Sequence, residues 1–562
     1  MTHREVLTAL SGLLLGMFVS MLASTVVGTS LPLIISDLEG DQGAFTWVVT
    51  ATLLATTVST PIWGKLADLF NRKLLLQIAL VIFVLASAIA GFAQDPSTLI
   101  TMRVFQGLGA GGLAALSQIV MADIISPRER GKYAGLFGAV MAVATVGGPL
   151  LGGVITDGLG WRWNFFVGLP IAVVALVLLQ RTLHLPKRPK TKVSIDYLGI
   201  VLISAGVSLL LLWVTFAGND FDWISMPSLL MAGGAALLLI VAVIVELRVK
   251  EPVIPLGLFK NRTFTLSVVA SLSVGVAMFG TAVFLSQYMQ LARGATPTES
   301  GLLTIPMMAG VLIASTVIGA LVSRRGKWKA FMVTGGALMV IGSVLLSQLQ
   351  YDTPFWFVGV AMFVLGAGVG MLMQNLVLVV QNTTAVKNMG VATSAVTFFR
   401  SLGGTIGVAV MGSILGTVAA EHIKSGIAGL EPEQQAVAAK TLAGGVIPQI
   451  SELPDFLRVV VESAYGVGVG STFLAAVPLA IVTLITVAFL PNIDLGTKNA
   501  IQLAKAQQGT DAAGREREDA EDAAIDAAAA SVALAPVGLA HDPATGAVDA
   551  VQVPSASSRD RS

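Results

Sequence analysis

Gly64-Lys65-Leu66-Ala67-Asp68-Leu69-Phe70-Asn71-Arg72-Lys73 is a short charged stretch set between two long apolar runs, residues 45–63 and 74–93. Each run is close to the ~20 residues that a membrane-crossing helix needs. The stretch therefore reads as a tight polar turn on one face of a membrane. A carboxylate at the C-terminal end of a helix is disfavoured by the helix dipole by about 0.3–1 kcal/mol. Asp68 stands at such an end and needs a cation, and Arg72 follows four residues later. Asp123 closes a later apolar run on the same face and has the same need. Asp68, Arg72 and Asp123 are thus expected to form a charge cluster that pins the cytoplasmic ends of the second and fourth spans. Breaking it would open that mouth.

The composition extends this reading to the whole chain. Of 562 residues 55% are hydrophobic and only 12% charged, against about 25% charged in average soluble proteins. A mean hydropathy of +0.82 excludes a soluble globular, disordered or collagen-like chain. Fourteen segments are long and apolar enough to span, the first at 8–35 and the last at 465–490. The expected fold is an all-α polytopic membrane protein. The first span is too long for a cleavable signal peptide and lacks a small-residue cleavage site. With the N-terminus cytoplasmic, 27 of the 34 Lys and Arg residues fall on the cytoplasmic face, five fall opposite, and Arg103 and Arg400 lie inside spans. That bias places both termini in the cytoplasm. A net charge of +1 argues against a nucleic-acid partner. Having no cysteine, the chain has no disulfide, zinc–thiolate site, iron–sulfur cluster or cysteine nucleophile. Its four histidines lie outside the apolar runs, so no metal site is expected.

The spans divide as six, two and six. Residues 1–186 make an N-terminal bundle, 187–252 a linker with two extra helices, 253–491 a C-terminal bundle, and 492–562 a cytoplasmic tail expected to be disordered apart from a short helix near 511–530. A faint repeat supports the pairing of the bundles: Gly319-Ala-Leu-Val-Ser-Arg-Arg-Gly-Lys-Trp-Lys329 follows the second span of its block, as Gly64–Lys73 does in the first. Paired bundles of this type place a site between them. Residues 419–463 form a long external segment with helix-forming stretches at Glu433–Leu442 and Pro454–Ser463, read as a folded hairpin or lid.

Polar residues inside apolar spans are functional candidates by default. Arg103 lies near the external end of the fourth span, with Gln106 one turn on along the same face. Arg400 falls near the membrane midplane, where snorkelling is difficult, so it must face protein or water. Gln287, Gln374 and Asn375 are further candidates to line a cavity, as is Ser24 in the first span. In Ala144-Thr-Val-Gly-Gly-Pro-Leu-Leu-Gly-Gly153, Pro149 removes a backbone donor and kinks the helix, while Gly148, Gly152 and Gly153 let a neighbour approach closely.

Together these pieces resemble the major facilitator superfamily, in its 14-helix drug:proton antiporter branch. Gly64–Lys73 is similar to that family's loop between helices 2 and 3, departing at Leu69 and Asn71, where a basic residue and Gly are usual. Arg103-Val-Phe-Gln-Gly resembles the helix 4 motif associated with proton coupling, and Gly148-Pro149-Leu-Leu-Gly152-Gly153 the helix 5 motif of antiporters. Trp161-Arg-Trp-Asn-Phe-Phe166 and Phe399-Arg400-Ser-Leu-Gly-Gly404 also resemble segments of this branch. The resemblance covers roughly residues 8–490. It implies a major facilitator fold, a monomer in the cell inner (plasma) membrane, no cofactor beyond the proton-motive force, and multidrug efflux of a small-molecule substrate of the kind that confers antibiotic resistance. One departure matters: where the branch commonly carries Asp in helix 1, this chain has Ala23. Proton coupling must then use another group, and Asp37 or Asp95 beside Arg103 is the expected acid–base pair. The leading reading is proton-driven efflux of amphipathic or hydrophobic compounds by alternating access. The alternative keeps the fold for a dedicated exporter of an anionic or lipid-like compound, since two embedded arginines face no embedded acid. No phosphate-binding loop is present, and no cluster of catalytic acids or histidines suggests an enzyme.

Overall fold

A computed structural model describes residues 3–39, 42–183, 185, 195–218, 221–442, 453–499, 501–502 and 520–525. The N-terminal helices are α1 (His3–Asp37), α2 (Gln42–Leu69), α3 (Arg72–Gly91), α4 (Pro96–Ile124), α5 (Pro127–Leu159) and α6 (Trp163–Thr182). The linker pair is α7 (Tyr197–Phe216) and α8 (Met226–Glu246). The C-terminal helices are α9 (Arg262–Ala292), α10 (Glu299–Arg325), α11 (Lys329–Leu346), α12 (Phe355–Thr383), α13 (Met389–Ala428) and α14 (Asp455–Ala488). Among the described residues, thirteen helices are long and apolar enough to cross a membrane. The remaining one, α2, is 28 residues long and takes the place of the second expected span. Thr50, Thr52, Thr56, Thr57, Ser59 and Thr60 lower its hydropathy because it is packed among helices rather than lipid tails.

Local sequence explains the helix ends. Asp95 accepts from the Thr98 amide at the start of α4, with Pro96 next to it, and Ser225 and Asn261 start α8 and α9 in the same way. In α3 that role falls to Asn71, whose side chain accepts from the Lys73 and Leu74 amides.

Helix association in lipid relies on close backbone approach rather than on the hydrophobic effect. Gly107 and Gly111 lie on one face of α4 against α2, where an added methyl would stand 2.5 Å from Thr52 O and 2.6 Å from Thr56 O. Gly109 and Gly112 turn to the α3 side. In the second bundle Gly310, Gly366 and Gly370 join α10 to α12, and Gly275 with Gly403 joins α9 to α13. Between bundles, α2 runs against α13 and α5 against α10. Linker helix α7 packs on α2 and α13 through Val58, Ile203, Val207, Leu211, Phe398 and Leu402.

The external segment, expected as a folded hairpin or lid, is in part a continuation of the bundle helices. Helix α13 continues to Ala428 over 40 residues, and α14 begins at Asp455. Both bundle helices therefore reach into 419–463, one ending at Ala428 and the other starting at Asp455, with a short helix Pro432–Leu442 between them in sequence. Leu453, Leu457, Val461 and Ala438 pack with Ile423 and Ile427 on that extension. The expected tail helix falls mostly outside the described residues, of which 520–525 are helical.

Replacing Gly109 by Val drives a branched side chain into the Ala79 carbonyl and Phe83. Overpacking of this kind costs about 1–3 kcal/mol. The expected outcome is a Tm several degrees below wild type in detergent, with Gly158→Ala, which meets nothing within 4 Å, unchanged; equal melting of the two variants contradicts the packing account.

Candidate functional site: the inter-bundle clasp

Helix α13 supplies no side-chain cap of its own, since Asn388 makes no capping bond. Its first-turn amides are taken by the other bundle: the Gly390 N–H donates to Asp68 Oδ1 and the Val391 N–H to Asp68 Oδ2, both at 2.9 Å. An anion at a helix N-terminus is favoured by the dipole, so Asp68 gains at α13 what it loses at the end of α2. The fit is close because both partners there lack side chains. A methyl on Gly64 would stand 1.8 Å from Ser394 Oγ, and one on Gly390 2.5 Å from Asp68 Oδ1.

Arg72 orients that carboxylate. Its Nη2 donates to Asp68 at 3.1 Å, its Nε to Ala67 O at 2.9 Å, and its Nη1 to Asp123 Oδ1. The structure thus brings Asp68, Arg72 and Asp123 together, and joins them to a helix that the loop sequence does not reveal.

A second clasp has the opposite sign. The Arg128 guanidinium, at the start of α5, donates to Ser323 O and Arg324 O at the C-terminal end of α10. A cation is favoured at that end of a helix. Gly131 lets the two backbones meet, since an added methyl would stand 2.0 Å from Gly319 O. Beside it, buried Arg130 donates to Gln381 Oε1 on α12, and Gln381 Nε2 donates to Thr393 Oγ1 and to Gln118 O. Gln118, Arg130 and Gln381, with Met121, Gln374 and Asn375, line a small cavity of about 20 Å³ between the bundles, room for about one water molecule. Residues 491–499 then cross the same face. Trp328 Nε1 donates to Ile493 O and the Gly496 N–H to Asn382 Oδ1 on the C-terminal bundle, while the Arg128 N–H donates to Gly496 O from the N-terminal one. All of these inter-bundle bonds lie on the basic, cytoplasmic face, so this is a conformation closed toward the cytoplasm.

The embedded arginines have different surroundings. Arg103, 5% exposed, donates to Val48 O and to Gln106 Oε1, and Gln106 donates to Ser87 Oγ. This chain ties α4 to α2 and α3. Asp37 and Asp95 do not meet Arg103, which corrects the expected acid–base pair. Asp95 is occupied as the start of α4, accepting from Ser97 Oγ, Thr98 N and Thr98 Oγ1. Those bonds hold its pKa at about 2. Asp37 accepts from Trp161 Nε1 at 2.8 Å and Arg162 Nη1 at 3.1 Å, and those two bonds lower its pKa. Arg400, 7% exposed, donates to Met373 O at 3.3 Å and has no carboxylate within 4 Å among the described residues.

The other candidates scatter. Gln374 and Asn375 share the inter-bundle cavity, whereas Ser24, Gln287 and Arg400 are not among its lining residues. Ser24 is exposed, and Gln287 Oε1 is buried without a partner. Gly148 provides the expected close approach, since an added methyl would stand 2.0 Å from Thr25 Oγ1, and Thr25 donates to Ala144 O. Gly153 faces open space, so it does not make the close contact expected of it. Gly152 is buried and Pro149 lies within continuous helix α5, its side chain outside the described set. Sequence reasoning missed Arg128, Arg130 and Gln381. Their signal was faint: two arginines at a helix start and one glutamine at a helix end.

Residues 13–408 match the Major Facilitator Superfamily. Among similar proteins, an uncharacterized MFS-type transporter of Mycobacterium tuberculosis is 36% identical over 86% of this chain and 69% of its own length. The multidrug transporter protein MdtP of Bacillus subtilis is 37% identical over 72% of this chain and 74% of its own. Multidrug resistance protein 3 of Bacillus subtilis is 30% identical over 85% and 94%. Of solved structures, the MFS proton:xylose symporter XylE aligns with a TM-score of 0.57 at 14% identity, covering 90% of this chain and all of that one.

Removing one partner of a buried ion pair costs about 3–5 kcal/mol, because the remaining charge is left unpaired. Arg72→Ala, which strands two carboxylates, should therefore lower Tm sharply. Adding Asp123→Asn removes their repulsion and should restore part of the loss; a double variant no more stable than the single one contradicts the cluster's assignment.

Proposed function

This chain belongs to the major facilitator superfamily and is a multi-pass membrane transporter, and from that premise we propose that it is a proton-driven efflux pump for amphipathic or hydrophobic small molecules. The observation that carries the proposal is the clasp. Charges meeting helix ends close the cytoplasmic face without covalent links or a large apolar seal. Each charge-assisted bond is worth about 1.5–3 kcal/mol, a range that substrate binding or a proton can overcome. Alternating access then follows from rocking one bundle against the other around a site between them.

Efflux is favoured by the relatives named as multidrug transporters. Proton drive is favoured by the Arg103–Gln106–Ser87 chain, a buried polar path in a helix otherwise packed through glycines. One charge moving through 100 mV supplies about 2.3 kcal/mol, and each pH unit about 1.4 kcal/mol. The transporter works as a monomer in the cell inner membrane, without a cofactor.

Arg400 supports a second reading, a dedicated exporter of an anionic or lipid-like compound. Among the described residues its guanidinium has one backbone acceptor and no carboxylate within 4 Å. Under this reading Ala23→Asp adds the missing negative charge and gains efflux of cationic dyes; unchanged dye efflux removes its support.

The main reading is tested by dye efflux from cells, with and without a protonophore. Wild-type efflux should collapse with the protonophore, and Arg103→Ala should lower the rate about tenfold, the factor equivalent to ~1.4 kcal/mol. Efflux that persists with the protonophore contradicts proton drive.

A further inference from the structure

The cytoplasmic base of the linker pair holds two acidic side chains that the clasp does not use. Asp196 precedes α7 and is 7% exposed; Glu246 ends α8 and is 5% exposed. Both face Gly199. The position that a Gly199 methyl would take is 2.2 Å from Asp196 Oδ2 and 2.8 Å from Glu246 Oε1. The two oxygens therefore lie within about 5 Å of each other, the range in which like charges oppose each other's ionisation.

The hydrogen bonds leave one oxygen over. Asp196 Oδ1 accepts from the Gly199 N–H at 2.8 Å. Glu246 Oε1 accepts from the Val253 N–H at 3.1 Å and Oε2 from the Ile254 N–H at 3.2 Å. Asp196 Oδ2 is buried with no partner, on the Gly199 side that Glu246 Oε1 also faces. A buried acceptor without a donor costs about 1–3 kcal/mol, and more when charged. The nearby cation, Lys65 of α2, is already bonded to Glu251 at 2.6 Å. Two ionised carboxylates here would repel each other in a dry contact and still leave Oδ2 unsatisfied.

We propose that Asp196 and Glu246 form a proton-binding site that holds one proton on Glu246, on the side facing Asp196 Oδ2. A hydroxyl on Glu246 donates to Asp196 while still accepting from Val253, so one proton removes the repulsion and fills the orphaned acceptor. The dipoles agree. Asp196 sits at a helix N-terminus, which favours its anion, and Glu246 at a helix C-terminus, which disfavours one. The site adjoins the gate helix, because Lys65 lies one turn before Asp68 on α2 and its bond to Glu251 docks the linker there. Loss of the proton as cytoplasmic pH rises leaves two anions under that contact and loosens it. The site rests on geometry alone and stands whether or not transport is proton-driven.

Infrared difference spectroscopy on the purified full-length protein in lipid tests this directly. Wild type minus Glu246→Gln, and wild type minus Asp196→Asn, should both show the loss of one protonated carboxyl C=O band, because each variant leaves a lone carboxylate accepting from an amide N–H. In melting experiments the wild-type Tm should fall as pH is raised from 6 to 9. Glu246→Gln, whose amide copies the protonated acid, should give a flatter profile. Absence of a carboxyl band in both difference spectra overturns the proposal, as does a wild-type Tm that follows sodium concentration rather than pH.

Discussion

A carboxylate from one bundle caps a helix of the other. Asp68 fills the first-turn amides of α13, which has no cap within its own sequence, and the rest of the cytoplasmic face is arranged around that bond. Arg72 holds the carboxylate in place, Asp123 holds Arg72, and Gly64 and Gly390 admit the contact. The second clasp repeats the same physics with reversed charge, an arginine on α5 set against the carbonyl end of α10. Both interactions depend on alignment of a charge with a helix axis, so a modest rotation of either bundle releases them. A moving gate requires contacts strong enough to close it and directional enough to part together.

The two embedded arginines show how similar sequence signals separate in three dimensions. Arg103 is held by a carbonyl and by a glutamine within its own bundle, so it stiffens the α2–α3–α4 unit. Arg400 has one backbone acceptor at 3.3 Å and leaves most of its donors for other partners. Neither meets an acid within 4 Å among the described residues.

Much of this fold is legible in the sequence because lipid demands long uninterrupted helices, and a helix end demands compensation of its charge. Hydropathy marks the spans, and Asp68, Arg72 and Asp123 declare their mutual need. The partner of Asp68 is not legible, since the donors are backbone amides of Gly390 and Val391, which have no side-chain signature. Asp95 is a different case: Asp95-Pro96-Ser97-Thr98 is a helix-start pattern, and that local role takes both oxygens before Arg103 can compete. The length of α13 is hidden because its outer turns, Glu421, His422 and Lys424, are polar and read as loop. The carboxyl pair at the linker base is hidden because Asp196 and Glu246 stand 50 residues apart and meet only when α7 and α8 fold back on each other.

The natural absence of cysteine allows the central claim to be tested by a single introduced thiol. Ser394, fully buried where α13 meets Gly64, is replaced by Cys, and its labelling by a membrane-impermeant maleimide is followed in inside-out vesicles. If Asp68 holds the cytoplasmic face closed, labelling is slow in the otherwise wild-type protein. Asp68→Asn then raises the rate about tenfold or more, as loss of a bond to a charged group of ~1.5–3 kcal/mol requires. Equal labelling rates with and without the Asp68 charge would contradict the account.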